Sequence, residues 1–378
     1  MKVAIVTITD GSNYGNRLQN YALQESLKKL GVECETIQRV TSRDPSIIRK
    51  TGALCKDILR VLGGRRTNRV YRVRKKRFHT FNHRNIVWSK YVLQNNKAPK
   101  SLKNAYHFFI CGSDQIWNVK FDVVKEDILN YLASFADPAQ RIAYAASFGT
   151  TEVDDEQYIG FFKEELPKFK AISVREQSGI PLVAKLCGQN AQLVLDPTML
   201  ISAQEWNQLS VKPDCGVEDD ECFVLTYFMS GRNDTINKYI ENVKKQFVCC
   251  KVINLEMEFR NRDSIENEKV FCTTPDEFIW LISHASVVLT DSFHGTVFSI
   301  LFHKPFCVFQ RKTVECNNNI ESRLDTLLKY FDLERFRDDL NNPRLSPETY
   351  DANVIEGIIE SKRQASFLFL KRALNLEG

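Results

Sequence analysis

A chain of 378 residues, 43% hydrophobic and 26% charged, has room for two domains of ordinary size with sizeable cores. No run approaches ~18 consecutive apolar residues, which excludes a membrane span, and Met1-Lys2-Val3-Ala4-Ile5-Val6 is interrupted too soon to be a secretion signal, so a cytoplasmic protein is expected. The net charge of +5 is unevenly spread: Arg43 to Arg84 carries fourteen Lys and Arg against Asp44 and Asp57, a local balance of +12 that leaves the rest of the chain acidic.

In chain order, Val3 to Val6 predicts a buried strand running into the turn Thr9-Asp10-Gly11-Ser12-Asn13-Tyr14-Gly15-Asn16. A helix follows, with Leu18, Tyr21, Ala22, Leu27 and Leu30 on its apolar side and Gly31 as its stop, and Cys34 to Ile37 is the next strand. The turn resembles a phosphate cradle but lacks G-x-G-x-x-G and the P-loop Lys-Ser/Thr, so a plain strand-to-helix turn explains it equally well. The basic segment 43–84 then divides at Gly63-Gly64, and its second part interleaves Tyr71, Phe78, Phe81 and His83 with cations. It reads as a helical insertion, either solvated or held against an anionic membrane surface; no nucleic-acid module surrounds it, and no nucleic-acid partner is expected.

The α/β alternation resumes with strands at Phe108–Cys111, Arg141–Ala145, Ala171–Val174 and Leu193–Leu195, each ending in a polar turn. Those turns are Gly112-Ser113-Asp114-Gln115-Ile116-Trp117-Asn118, Ala146-Ser147-Phe148-Gly149-Thr150, Arg175-Glu176 and Asp196-Pro197-Thr198. Trp206 to Glu221, acidic and containing Pro and Gly, is the expected domain boundary. Beyond it come strands Phe223–Phe228 and Lys251–Leu255, with helices Asp234–Phe247 and Pro275–Ser283. Val287-Val288-Leu289, the polar run Thr290-Asp291-Ser292, His294-Gly295 and the apolar Val297–Phe302 then predict strand, tight turn and buried helix, and Phe306–Phe309 the strand after them. The expected architecture is α/β: two Rossmann-like domains facing a cleft, over 1–205 and 206–344, with 345–378 as a last helix returning to the first domain.

The eleven cysteines are scattered and none forms a C-x-x-C pair, which predicts small core thiols with no disulfide framework and no structural metal. The turns offer no H-E-x-x-H, no G-x-S-x-G and no cluster of acids and histidines at ligand spacing. They offer small residues, helix-start amides, a few arginines and one histidine. That set binds anions, and a histidine of ordinary pKa near ~6.5 can also move a proton at neutral pH.

Six segments in order resemble the polysaccharide pyruvyl transferase family: Asn13-Tyr14-Gly15-Asn16-Arg17-Leu18-Gln19-Asn20-Tyr21-Ala22-Leu23, Gly112 to Asn118, Ser173-Val174-Arg175-Glu176, Val194-Leu195-Asp196-Pro197-Thr198, Asp291-Ser292-Phe293-His294-Gly295 and Asn319-Ile320-Glu321-Ser322-Arg323-Leu324. The resemblance implies a GT-B-like fold, phosphoenolpyruvate as donor, a pair of sugar hydroxyls as acceptor, a cyclic pyruvate ketal as product, and a place in capsular or exopolysaccharide synthesis. It implies no cofactor, and it makes a sugar on a polyprenyl diphosphate carrier an expected acceptor, with the basic segment holding the enzyme at the inner membrane face.

The resemblance puts the donor-site histidine at His294 and its arginine at Arg175. Some members carry a further arginine where this chain has Ser292, a departure that Arg311 or Arg323 would have to make good. On this reading His294 as imidazolium protonates the donor methylene carbon, and Asp114 or Asp10 attends the acceptor hydroxyl. Asn13, Tyr14, Asn16, Ser113, Ser292, Gly295 and Thr296 are candidate substrate-binding residues with Arg311 and Arg323. Two rival readings stand beside it. A GT-B glycosyltransferase using a sugar nucleotide would need an acid for the ribose, for which Glu315 and Glu321 are the nearby candidates. An inactive carbohydrate-binding homologue has Ser292 in its favour.

Overall fold

The computed structural model describes residues 1–9, 11–40, 66–218, 221–249, 251–256, 267–310, 322–338 and 349–377. Two parallel sheets organise it. The first joins β1 (Lys2–Val6), β2 (Glu33–Arg39), β3 (Trp88–Leu93), β4 (Phe108–Cys111), β5 (Arg141–Ala146), β6 (Ala171–Val174) and β7 (Gln192–Leu193) in the order β3-β2-β1-β4-β5-β6-β7. The second joins β8 (Phe223–Tyr227), β9 (Lys251–Leu255), β10 (Val287–Thr290), β11 (Phe306–Phe309) and β12 (Arg337–Asp338) in the order β12-β11-β10-β8-β9. The expected two-domain α/β architecture is what the chain adopts. Strand order reverses between β1 and β4 in one sheet and between β8 and β10 in the other, with Val6 level with Cys111 and Tyr227 level with Thr290. Those reversals open the crevices at which α/β sheets bind ligands.

Apart from Lys2 at the start of β1, the central strands β1, β5, β8 and β10 are buried throughout, as near-continuous apolar runs in parallel sheets are. β3 was not expected, because it is an edge strand in which buried Ser89 and Leu93 alternate with exposed Lys90 and Val92. The helix α1 (Tyr14–Lys29) is capped by Asn13, whose side chain accepts from Asn16 N at 3.3 Å. It is buried on nearly every side because it lies between the two halves: Tyr14 stacks on Phe278 with centroids 4.7 Å apart, and Tyr21 meets Trp206 at 5.7 Å. Helix α2 (Arg66–Asn85) is a single helix of 20 residues whose inward positions are Val70, Arg74, Phe78 and Phe81.

Arg74 is a clamp between the halves. Its Nη1 donates to Tyr14 Oη at 3.1 Å and to the Phe271 carbonyl, its Nη2 donates to Ser12 O at 3.0 Å, and its guanidinium lies within 5.0 Å of the Tyr14, Phe78 and Phe271 ring centres. The second part of the basic segment is therefore packed on one face, neither fully solvated nor fully free; 43–65 lies outside the described residues.

Further along, α3 (Glu156–Glu165) and α4 (Gly179–Cys187) accompany the first sheet, α5 (Ala203–Leu209) sets Trp206 between Tyr21 of α1 and Phe298 of the second half, and α6 (Asp234–Gln246), α7 (Pro275–His284), α8 (Phe293–Leu301) and α9 (Ser322–Tyr330) accompany the second sheet. The last helix, α10 (Ala352–Ala373), lies on the first: Leu195 N donates to Ser366 Oγ at 3.0 Å and Phe369 meets Tyr144. One expectation about cysteine fails. Cys222 and Cys249 are joined by a disulfide, their Cα atoms 5.0 Å apart, because the β8–β9 register sets the starts of those strands side by side.

Candidate active site

A cleft of about 410 Å³ lies where the two reversals face each other. From the first half it is lined by Ile8, Gly11, Asn13, Asn16, Asp114, Gln115, Phe121 and Val123, and from the second by Met229, Ser292, Phe293, His294 and Arg323. Each residue arrives through simple local structure. Ser292 caps α8, its hydroxyl accepting from Gly295 N at 3.4 Å, so His294 sits in the first helical turn and not in a loop before it. Asp291 anchors the neighbouring turn by accepting from Met229 N at 2.5 Å and Ser230 N at 2.8 Å.

His294 is 8% exposed, and its imidazole is pressed against α1. A Cβ on Gly15 would fall 2.0 Å from His294 Nδ1, so only glycine leaves room for the ring. Gly15→Ala is expected to displace the imidazole and lower turnover about 10²-fold, the scale on which ~1 Å misplacements act. Ala is otherwise the better helix residue by about 1 kcal/mol, so an alanine enzyme with full activity in a turnover assay would show that the ring does not need this position.

Behind His294 lies a charged network. Arg175, its side chain wholly buried, donates from Nη1 to Asp196 Oδ2 at 2.7 Å and from Nη2 to Asp114 Oδ1 at 3.2 Å. Asp196 also accepts from Ser113 Oγ at 3.0 Å, Thr198 N at 3.0 Å and Thr198 Oγ1 at 2.7 Å. His294 Nε2 stands 3.8 Å from Asp196 Oδ1 and is a buried nitrogen with no hydrogen-bond partner among the described residues. The Phe293 ring has the Arg175 guanidinium 4.7 Å and that of Arg323 5.8 Å from its centre.

Burial pushes the His294 pKa below its ordinary value, and Arg175 and Arg323 add to the effect against the opposing pull of Asp196 and Asp114. The ring is thus neutral at neutral pH in the unliganded protein. Burial alone would raise the Asp196 carboxyl, but His294, protonated in the acid range where a carboxyl titrates, the Arg175 guanidinium and the Thr198 donors outweigh it and hold Asp196 low. Burial pushes the Glu176 carboxyl up; its Oε1 accepts from the amides of Phe148 at 2.9 Å and Gly149 at 3.2 Å.

Several expected roles change. Arg175 is not among the residues that line the cleft: its side chain is wholly buried and its two terminal nitrogens donate to Asp196 and Asp114. Tyr14 is fully buried with its hydroxyl on Thr273 Oγ1 at 2.6 Å, and it belongs to the core between the halves. Ser113 is spent on Asp196, and Thr296 on the Ser292 carbonyl at 3.0 Å. Gly295 is a close-approach residue, since a Cβ there would be 2.6 Å from Thr290 Oγ1. Trp117, in the Gly112–Asn118 turn, is buried against Phe148 and Phe162.

His294, Asp114, Asn13, Asn16, Ser292 and Arg323 do line the cleft; Asp10 and Arg311 lie outside the described residues. Sequence reasoning underrated Asp196 as a turn-former and missed Gln115, Phe121 and Met229. For Gln115 the signal was its place directly after Asp114 in a strand-end turn.

The sequence profile of the polysaccharide pyruvyl transferase family matches residues 13–313. Among solved structures, the UDP-GlcNAc 2-epimerase of Methanocaldococcus jannaschii aligns at 12% identity and TM-score 0.48 over 95% of this chain and 92% of that one. An α-glucosyltransferase in complex with UDP and DNA aligns at 9% and 0.46 over 98% and 95%. The Neisseria meningitidis UDP-GlcNAc 2-epimerase bound to UDP-GlcNAc aligns at 10% and 0.43 over 99% and 94%. No curated protein matches the sequence. The profile takes in the α1 turn, the Gly112–Asn118 turn, Arg175, Asp196 and His294 in one span, and the chain belongs to the polysaccharide pyruvyl transferase family of transferases.

Proposed function

We propose that the cleft binds phosphoenolpyruvate and transfers its pyruvyl group to two hydroxyls of a sugar as a cyclic ketal, in the making of a capsular or exopolysaccharide. The observation that carries this reading is His294: a buried imidazole with an unpartnered Nε2, held by Gly15 and Asp196 at the edge of a cleft that Arg323 also lines. Arg323 and the amides at the start of α8 take the anionic ends of the donor. The donor charge raises the His294 pKa, so the ring enters the reaction as imidazolium, and the ionised Asp196 stabilises that form.

His294 then gives its proton to the donor methylene carbon, which becomes a methyl group and leaves the adjacent carbon cationic. A sugar hydroxyl adds to that carbon and loses its proton to Asp114. Phosphate departs with the electron pair of its C–O bond, and a second hydroxyl closes the ketal, its proton leaving on the phosphate. Phosphoenolpyruvate is the only small molecule the scheme requires besides the acceptor. The test is phosphate release from phosphoenolpyruvate with a panel of glycosides, run beside UDP-sugars. Release that depends on a glycoside supports the reading, and turnover of a UDP-sugar in its place sinks it.

The acceptor is read as a sugar on a polyprenyl diphosphate carrier. No helix among the described residues is long and apolar enough to cross a membrane, so contact with the carrier would run through the surface. The outward face of α2 exposes Arg69, Arg72, Lys75, Lys76 and Arg84 with Tyr71 and Val73, and no acid lies on the helix. Such a face gains about 1 kcal/mol per basic residue engaged at an anionic bilayer. Charge reversal at Lys75 and Lys76 should release the protein from phosphatidylserine vesicles in co-sedimentation; equal binding by wild type to neutral vesicles would contradict it.

A further inference from the structure

The cleft has two unlike walls. The second half contributes His294 and Ser292 with Met229 and Phe293, and its Arg323 is the one cation of the lining among the described residues, whereas the first contributes no cation: its apolar strip Ile8, Phe121 and Val123 lies with the polar Asn13, Asn16, Asp114 and Gln115. Phe121 stands out in this strip because it is 41% exposed, while Trp117 in the same loop is fully buried. Its position is nonetheless fixed. The Phe121 amide donates to Asn118 O at 3.1 Å, and its carbonyl accepts from Val124 N at 2.9 Å and Lys125 N at 3.0 Å, closing the short helix Asp122–Lys125. An exposed aromatic ring on an anchored turn, facing a cleft, is a surface that a ligand covers at little ordering cost.

Which ligand it suits follows from charge and shape. The face of a phenyl ring carries negative potential and gains nothing from a phosphate or carboxylate. A pyranose presents a C–H face that stacks on such a ring and a rim of hydroxyls that exchange hydrogen bonds with side-chain amides such as those of Asn13 and Gln115.

We propose that Phe121 is the platform on which the acceptor sugar stacks, opposite the wall that takes the anionic donor. This rests on the transferase reading above and adds the placement of its acceptor.

Saturation-transfer NMR with a set of methyl hexopyranosides, on wild type, Phe121→Ala and Phe121→Trp, tests it, with phosphoenolpyruvate affinity measured calorimetrically on the same three proteins. At least one glycoside should bind the wild type, bind Phe121→Ala roughly three- to tenfold more weakly or not at all, and bind Phe121→Trp as well as wild type. Phosphoenolpyruvate affinity should stay the same throughout. The assignment is overturned if no methyl hexopyranoside binds the wild type, or if glycoside binding ignores the alanine change. If glycoside binding depends on Phe121 while phosphoenolpyruvate binds none of the three, the donor reading fails and this one stands. Phe121 is partly covered by the protein, and a thermal melt confirms that both variants fold.

Discussion

Arg175→Met is expected to destabilise the protein by about 3–5 kcal/mol, because it leaves buried carboxylates without their counter-charge. Asp196 and Asp114 both rest on this guanidinium, and Glu176 Oε2 lies 4.0 Å from its Nε. Methionine matches the bulk and the contact with Phe293 but restores none of the charge. Arg175→Lys should fall between, since an ammonium keeps the charge but cannot bridge two carboxylates as a fork. Urea unfolding of the three proteins checks the order. Direct binding of donor phosphate by Arg175 would give the opposite pattern: a raised donor KM for Arg175→Lys at unchanged stability.

His294→Gln is expected to lower turnover roughly 10²–10⁴-fold, the usual contribution of a positioned proton donor. Its stability should change by less than about 1 kcal/mol, because the neutral ring makes no hydrogen bond through Nε2 among the described residues. The pH dependence follows from the direction of the shift. With the free-enzyme pKa below its ordinary value, the acid form is scarce at neutral pH and kcat/KM falls as pH rises through that lowered value. In the donor complex the anion raises the pKa, so the fall in kcat lies at higher pH. Profiles of kcat and kcat/KM measured together check the ordering, and coincident limbs would contradict it.

Much of the fold could be read from apolar runs, since parallel strands buried on both faces announce themselves, whereas the alternating edge strand β3 did not. Polar turns after strands marked the region of the site and led to Asp114 and to His294 at the helix start beyond one of them, whereas Arg323, on α9, was found through the family resemblance of 319–324. What sequence could not supply was the direction of each side chain. Arg175 looks like an anion ligand until Asp196, 21 residues on, and Asp114, 61 residues back, are seen to occupy it. Tyr14 and Ser113 share motifs with cleft residues yet point into the core. Arg74 sits among solvated cations, and only the packing of α2 against Tyr14 and Phe271 reveals it as a clamp.

On the proposed reading, phosphoenolpyruvate binds beside a neutral His294 and converts it to imidazolium. Calorimetry of phosphoenolpyruvate binding at neutral pH, repeated in buffers of different ionisation enthalpy, measures the protons taken up. Wild type should take up more protons on binding than His294→Gln does, the difference belonging to the imidazole. Equal proton uptake by the two proteins, with phosphoenolpyruvate bound to both, would contradict a donor seated at His294.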